Sequence, residues 1–161
     1  MFDKKAWPDT NDFAKVSKRS PHIIHLNPAA YRDGKRLAEE YQDGVERGLF
    51  VQGSDYHHII YHEFAHTIRC IYDKYGKTDV EGIVLGVLKG MQDIKVSTTA
   101  TEVLIFLCEN LSIYATSKDI RGKNSELFPE IMSASMIDNP QKYILKSLEE
   151  IISIITGGRL K

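Results

Sequence analysis

Residues 59–66 read Ile59-Ile60-Tyr61-His62-Glu63-Phe64-Ala65-His66. Within them, His62-Glu63-Phe64-Ala65-His66 matches the pattern His-Glu-x-x-His. Side chains four apart share one side of a helix, so both imidazoles can reach a single tetrahedral ion. The glutamate between them then stands near the ion's open position. There it can take a proton from a bound water and later hand it to a leaving amine. The context suits a helix capped by Ser54 or Asp55 and running to about Tyr72, with Ile60, Phe64 and Ile68 (and Ile71) as its apolar stripe. Phe64 and Ala65 are expected on the core side. By residue frequencies alone, such a string arises in roughly one chain of this length in a few hundred, so accident is the weaker account.

A catalytic zinc site usually has three protein ligands and leaves the fourth position to water. No histidine follows His66, so the third ligand should be a carboxylate. The downstream candidates are Glu81, Asp93, Glu102, Glu109, Glu126 and Glu130. Glu126 and Glu130 again stand four apart, at the start of a helix expected to run from Glu126 to about Met136 with Ser125 as its cap. One of them can bind the metal while the other accepts the ring N–H of a metal-bound histidine. The residues alone leave open which does which, and leave open that both are solvated acids drawn to a helix N-terminus.

Outward from this centre, residues 1–21 are polar, carry Pro8 and lack periodicity, and are expected to form an N-terminal arm. His22 to Leu26 is expected as a strand, Pro28 to Arg47 as a helix stopped by Gly48, and Leu49 to Gln52 as a second short strand. The segment from Asp79 to Met91 is expected as a helix in which Gly82, Gly86 and Gly90 permit close packing. Ser97 to Thr99 offer caps for an apolar helix from Thr101 to about Asn110, followed by an irregular stretch from Leu111 to Gly122. Asn139-Pro140 reads as cap and first residue of a last helix carrying Ile144, Leu148, Ile151 and Ile155, with residues 157–161 as a tail. The expected fold class is α+β, mostly helical with a small sheet, in one catalytic domain over residues 22–156.

Composition sets the outer bounds. The chain has 161 residues, 42% hydrophobic and 27% charged, which suits one soluble domain with a core of its own. Its formal net charge of −1 supplies no overall attraction to nucleic acid or to an anionic membrane. No apolar run approaches the roughly 18 residues that would span a bilayer. The N-terminal Met-Phe-Asp-Lys-Lys-Ala-Trp-Pro has no secretory pattern, so a cytoplasmic or particle-associated location is expected. Cys70 and Cys108 are expected as buried free thiols. His57 and His58 are expected as polar residues at a helix start, or as lining of the cleft.

Three stretches together carry a resemblance: Ile59 to His66, then Ser112-Ile113-Tyr114-Ala115, then Glu126-Leu127-Phe128-Pro129-Glu130. They resemble the lethal-factor-like zinc metallopeptidases, especially the related domains of phage minor head proteins. The resemblance covers roughly Ile23 to Met136. It implies a zincin-like, gluzincin-type fold with Zn2+ held by His62, His66 and Glu126. It implies Glu63 as the general base, Tyr114 as hydrogen-bond donor to the developing oxyanion, and Glu130 as support behind the ligands. It further implies a peptide or protein substrate, and phage structural proteins as partners. By analogy of fold, an extended peptide would pair beside the strand carrying His22 and His25. Two other expectations stay beside the peptidase. One is a structural or binding module of a phage particle with little proteolysis. The other is a repressor-cleaving protease, whose third ligand would come sooner, from Glu81 or Asp93.

Overall fold

Residues 14–26 alternate weakly, yet they form two strands, β1 (Ala14–Ser17) and β2 (Ser20–Leu26). The computed structural model describes residues 12–17, 19–75, 100–117 and 125–155. The strands pair antiparallel with Ala14 opposite Leu26 and Val16 opposite Ile24, and the register shifts between Val16 and Ser17. The expected strand at His22 to Leu26 is present, but the expected arm over residues 1–21 is corrected from Ala14 onward. A two-stranded ribbon is marginal in water by itself. Here it is held against the long helix described below, through Ala14 and Ile24.

Helix α1 spans Gly34–Glu46 and begins later than the sequence suggests. Pro28 to Arg32 turn instead, and the Asp33 carboxylate caps the helix by accepting from the N–H groups of Lys35 and Arg36, both at 3.1 Å. Gly48 ends it as expected. Its φ of 71° lies in the left-handed region. Its N–H donates to Val45 O and the next N–H, of Leu49, donates to Gly44 O, the two bonds of a Schellman stop. Leu49 to Gln52 form bends and a turn rather than the expected strand. Gly44 is required by packing: a Cβ there would lie 2.5 Å from the Phe50 ring.

Five further helices follow among the described residues: α2 (His58–Tyr75), α3 (Ala100–Asn110), the single turn α4 (Ile113–Thr116), α5 (Leu127–Ala134) and α6 (Lys142–Ile155). The expectations over residues 76–99, the loop at 118–124, and both ends of the chain lie outside the described residues. Helix α5 is buried along its whole length, the position of a helix that is apolar nearly all round. It packs with Ala65 of α2, Val103 and Leu107 of α3, and Tyr143, Ile144 and Ile151 of α6. A second cluster joins Leu37, Tyr41 and Val45 of α1 to Ala14 and Ile59. Helix α2 therefore lies between two cores, and its middle faces the seam between them.

Helix α6 begins at Lys142, not at the Asn139-Pro140 pair. Asn139 adopts a φ of 57°, a conformation asparagine tolerates, and so turns the chain instead of capping a helix. Neither Cys70 nor Cys108 is in a disulfide, and each is half-buried rather than buried. No described helix is long and apolar enough to cross a membrane. The fold is thus mixed α and β, mostly helical, with a two-stranded sheet.

Candidate metal centre

Helix α2 keeps Ile68 of the expected stripe against the core but turns the first part of that stripe outward. Ile60 and Phe64, taken from the sequence as its apolar side, are 40% and 49% exposed. The inward side carries His58, Ile59, Glu63, Ala65 and Thr67, with His62 and His66 half-buried beside them. Burying a polar side of a helix while its apolar side meets solvent costs free energy unless the polar groups find partners. The partners come from α5.

Helices α2 and α5 run antiparallel and are joined at both ends. Arg69 donates to Ser125 O at 3.0 Å, and the Ser133 hydroxyl donates to His58 O at 3.3 Å. Between these links, two pairs of residues four apart face each other in opposite order. His62 meets Glu130 and Glu126, and His66 meets Glu126. Glu126 Oε2 lies 3.0 Å from His66 Nε2 and 3.3 Å from His62 Nε2. The edge of a tetrahedron with metal–ligand bonds of 2.0–2.1 Å is roughly 3.3 Å, so Glu126 Oε2 stands near that spacing from each of the two Nε2 atoms.

Glu130 works from the other side of the same ring. Its Oε1 lies 2.8 Å from His62 Nδ1. A carboxylate oxygen accepts, so Nδ1 carries the proton and Nε2 faces Glu126. The chain reaches this geometry because α5 starts at Leu127, one residue later than expected, with Glu126 at its cap position. Pro129 is then the third residue of α5, in the first turn, where a missing N–H breaks no helical bond.

His62, Glu63 and His66 form a group that could hold a metal ion, one ligand atom from each lying within 4.8 Å of the others. Two carboxylates thus compete for the third place. Glu63 follows His62 directly on α2, and adjacent helical residues diverge by about 100°. Glu126, arriving from a different helix, approaches both Nε2 atoms at once. Glu63 is 7% exposed, and its Oε2 has no hydrogen-bond partner among the described residues. Burial pushes its carboxyl up; His62 and His66 oppose this, and Glu126 and Asp12 add to it. For His62, burial favours the neutral ring, yet the carboxylates of Glu126, Glu130 and Glu63 outweigh it and push the imidazole up to about 10.

A cavity of about 160 Å³ opens onto this cluster. Phe13, Tyr41, Phe50 and Ile59 form its apolar wall, and His62, Glu63 and Tyr114 its polar one. Tyr114 sits on α4, whose first N–H groups dock on the segment after α1: Ile113 N–H donates to Gly48 O and Tyr114 N–H to Leu49 O. Its ring centroid is 5.8 Å from that of His62. Burial, then the nearby Glu126 and Glu130, raise the pKa of its phenol.

All six residues singled out from the sequence, His62, Glu63, His66, Tyr114, Glu126 and Glu130, therefore meet at one seam. Of the other candidate ligands, Glu102 and Glu109 are exposed on α3, while Glu81 and Asp93 lie outside the described residues. His57 is exposed; His58 is buried and accepts the Asp55 N–H, bracing the start of α2 away from the cavity. Strand β2 packs beside α2, as expected of the strand carrying His22 and His25; the cavity itself meets the other strand. Ala14 of β1 and the preceding Phe13 line it, and the β2 residues His22 and His25 do not. Ser112 escaped notice as a working residue: its hydroxyl donates to Glu130 Oε2 at 2.6 Å. It belongs to the Ser112-Ile113-Tyr114-Ala115 stretch of the resemblance, but its role is readable only once the fold brings it to the carboxylate. No protein-family model, curated protein or solved structure matches this chain.

Proposed function

We propose that this chain is a zinc-dependent metallopeptidase with a zincin-like fold and a gluzincin-type site. In this reading His62, His66 and Glu126 hold the ion. The observation that carries it is Glu126 Oε2 at tetrahedral-edge distance from two Nε2 atoms on successive turns of one helix. Two imidazoles and one carboxylate are a donor set that suits zinc. When bound, the ion would act as a Lewis acid and bring the pKa of its water toward ~7.

The protein's own groups do the rest. Glu63 receives the proton of the attacking water and delivers it to the departing amine. Its unpartnered oxygen and upward-shifted carboxyl suit a base that must also act as an acid. Tyr114, kept protonated by its raised pKa, donates to the oxygen of the carbonyl as charge develops there. Glu130 holds the His62 ring so that Nε2, not Nδ1, faces the metal.

The test is direct. Protein carrying one equivalent of zinc, incubated with pools of unstructured peptides, should yield internal cleavage by mass spectrometry, and a chelator should stop it. Stoichiometric zinc without cleavage in any pool would instead favour a structural or binding module of a phage particle.

Metal uptake should also depend on pH. Without metal, and against the effect of burial, the carboxylates of Glu126 and Glu130 push the His62 ring well above its ordinary value, so it should carry a second proton at neutral pH. Binding must expel it, so affinity should rise by about tenfold per pH unit across the neutral range. Calorimetry in buffers of different ionisation enthalpy should show about one proton released per ion from this ring. Affinity that stays flat from about pH 7.5 to 8.5 would mean that the metal-free ring is already neutral there and that the carboxylates do not hold a second proton on it.

A further inference from the structure

The hydroxyl of Ser112 joins two parts of the site that arrive on different elements. Ser112 is 1% exposed and sits at the cap position of α4 in extended backbone, with φ −166°. Its Oγ donates to Glu130 Oε2 at 2.6 Å and accepts the Ala115 N–H at 3.0 Å. A hydroxyl has one proton, and a carboxylate can only accept, so the direction of both bonds is determined. The first bond occupies one oxygen of Glu130 and leaves the other aimed at His62 Nδ1, 2.8 Å away. The second caps the start of the turn on which Tyr114 rides. The Ser112 N–H is itself tied back to Leu107 O of α3 at 3.1 Å, so the serine stands on a packed helix rather than a free loop.

We infer that Ser112 is a positioning residue: through Glu130 it sets the orientation of the His62 ring, and through the Ala115 N–H it sets the place of Tyr114 relative to that ring. Removing the hydroxyl leaves a buried carboxylate oxygen without its donor and lets Glu130 turn away from His62. The arm toward Tyr114 rests on the peptidase reading above. The arm toward His62 concerns metal binding alone.

The experiment measures zinc affinity by competition with a chromophoric chelator for wild type, Ser112→Ala, Ser112→Thr, Glu130→Ala and the Ser112→Ala/Glu130→Ala pair, with circular dichroism to check that each folds. Ser112→Ala should weaken zinc by about tenfold, at the lower end for residues behind the ligands, and threonine, which keeps the hydroxyl, should restore affinity to within about threefold of wild type. In the Glu130→Ala background, Ser112→Ala should cost almost nothing more, because the carboxylate it acts through is gone. Zinc affinity unchanged in Ser112→Ala, or the same loss with and without Glu130, would overturn the inference. If peptides are cleaved, Ser112→Ala should lower kcat more than it raises KM. If no variant cleaves anything while the zinc pattern holds, the peptidase reading fails and the positioning role stands.

Discussion

Replacing Glu126 by alanine should strip the protein of zinc while leaving its helices in place. The two imidazoles of α2 meet a third donor at ligand distance in Glu126 Oε2. Residues behind the ligands typically cost 10–100-fold in affinity when removed, so loss of a ligand should exceed about 100-fold. Glu130→Ala, by contrast, should stay within that range and still bind zinc when the metal is supplied in excess. Metal content after dialysis, read for both variants beside wild type, separates the two roles. The fold should survive because α5 is held by its apolar packing, and Leu127, Phe128 and Ile131 are each 0–1% exposed. Each such side chain contributes on the order of 1.5–3 kcal/mol by burial. Zinc retained by Glu126→Ala at wild-type affinity would place the third ligand elsewhere, and Glu63 or a carboxylate outside the described residues would take over.

Glu63→Gln should have the opposite profile: zinc kept, turnover lost. The amide fills the same space but cannot take the water's proton. Removing a general base of this kind costs about 10²–10⁴-fold in kcat. Stability should move the other way. The Glu63 carboxyl is raised first by burial, so the folded state disfavours its charged form. A group of this sign lowers stability as pH rises above its ordinary value near 4.3. The neutral glutamine escapes that penalty, so with the metal removed the variant should melt at pH 7 at or above the temperature of metal-free wild type. A loss of activity accompanied by a lower Tm would point to damage rather than to a missing base. Equal cleavage rates in the variant and wild type would end the proposed mechanism.

These two outcomes depend on features that differ in how far they can be read from the chain. The elements near the centre were legible because their signals are local. The His62–His66 spacing, the Gly48 stop and the apolar run into Asn110 each depend on a few neighbouring residues. Signals of the same kind misled where the surroundings overrode them. Asn139-Pro140 has the composition of a helix start, yet Asn139 takes left-handed backbone in the link between α5 and α6, and the helix begins only at Lys142. Ala14 to Ser17 has too little alternation to announce a strand, and it becomes one because β2 and α2 are there to receive it.

What the sequence determined by itself is a pair of imidazoles one helical turn apart with a glutamate between them, and a second pair of carboxylates at the same spacing sixty residues on. Both follow from 3.6 residues per turn, which needs no knowledge of the rest of the chain. The tertiary structure alone decided that the two helices run antiparallel. That arrangement faces Glu126 to both Nε2 atoms, gives Nδ1 of His62 to Glu130, and turns Phe64 outward so that the polar side of α2 lies in the seam. Periodicity ranks faces by hydrophobicity. Only the packed partner can make a polar face the better one to bury, because its oxygens replace the water those histidines would otherwise keep.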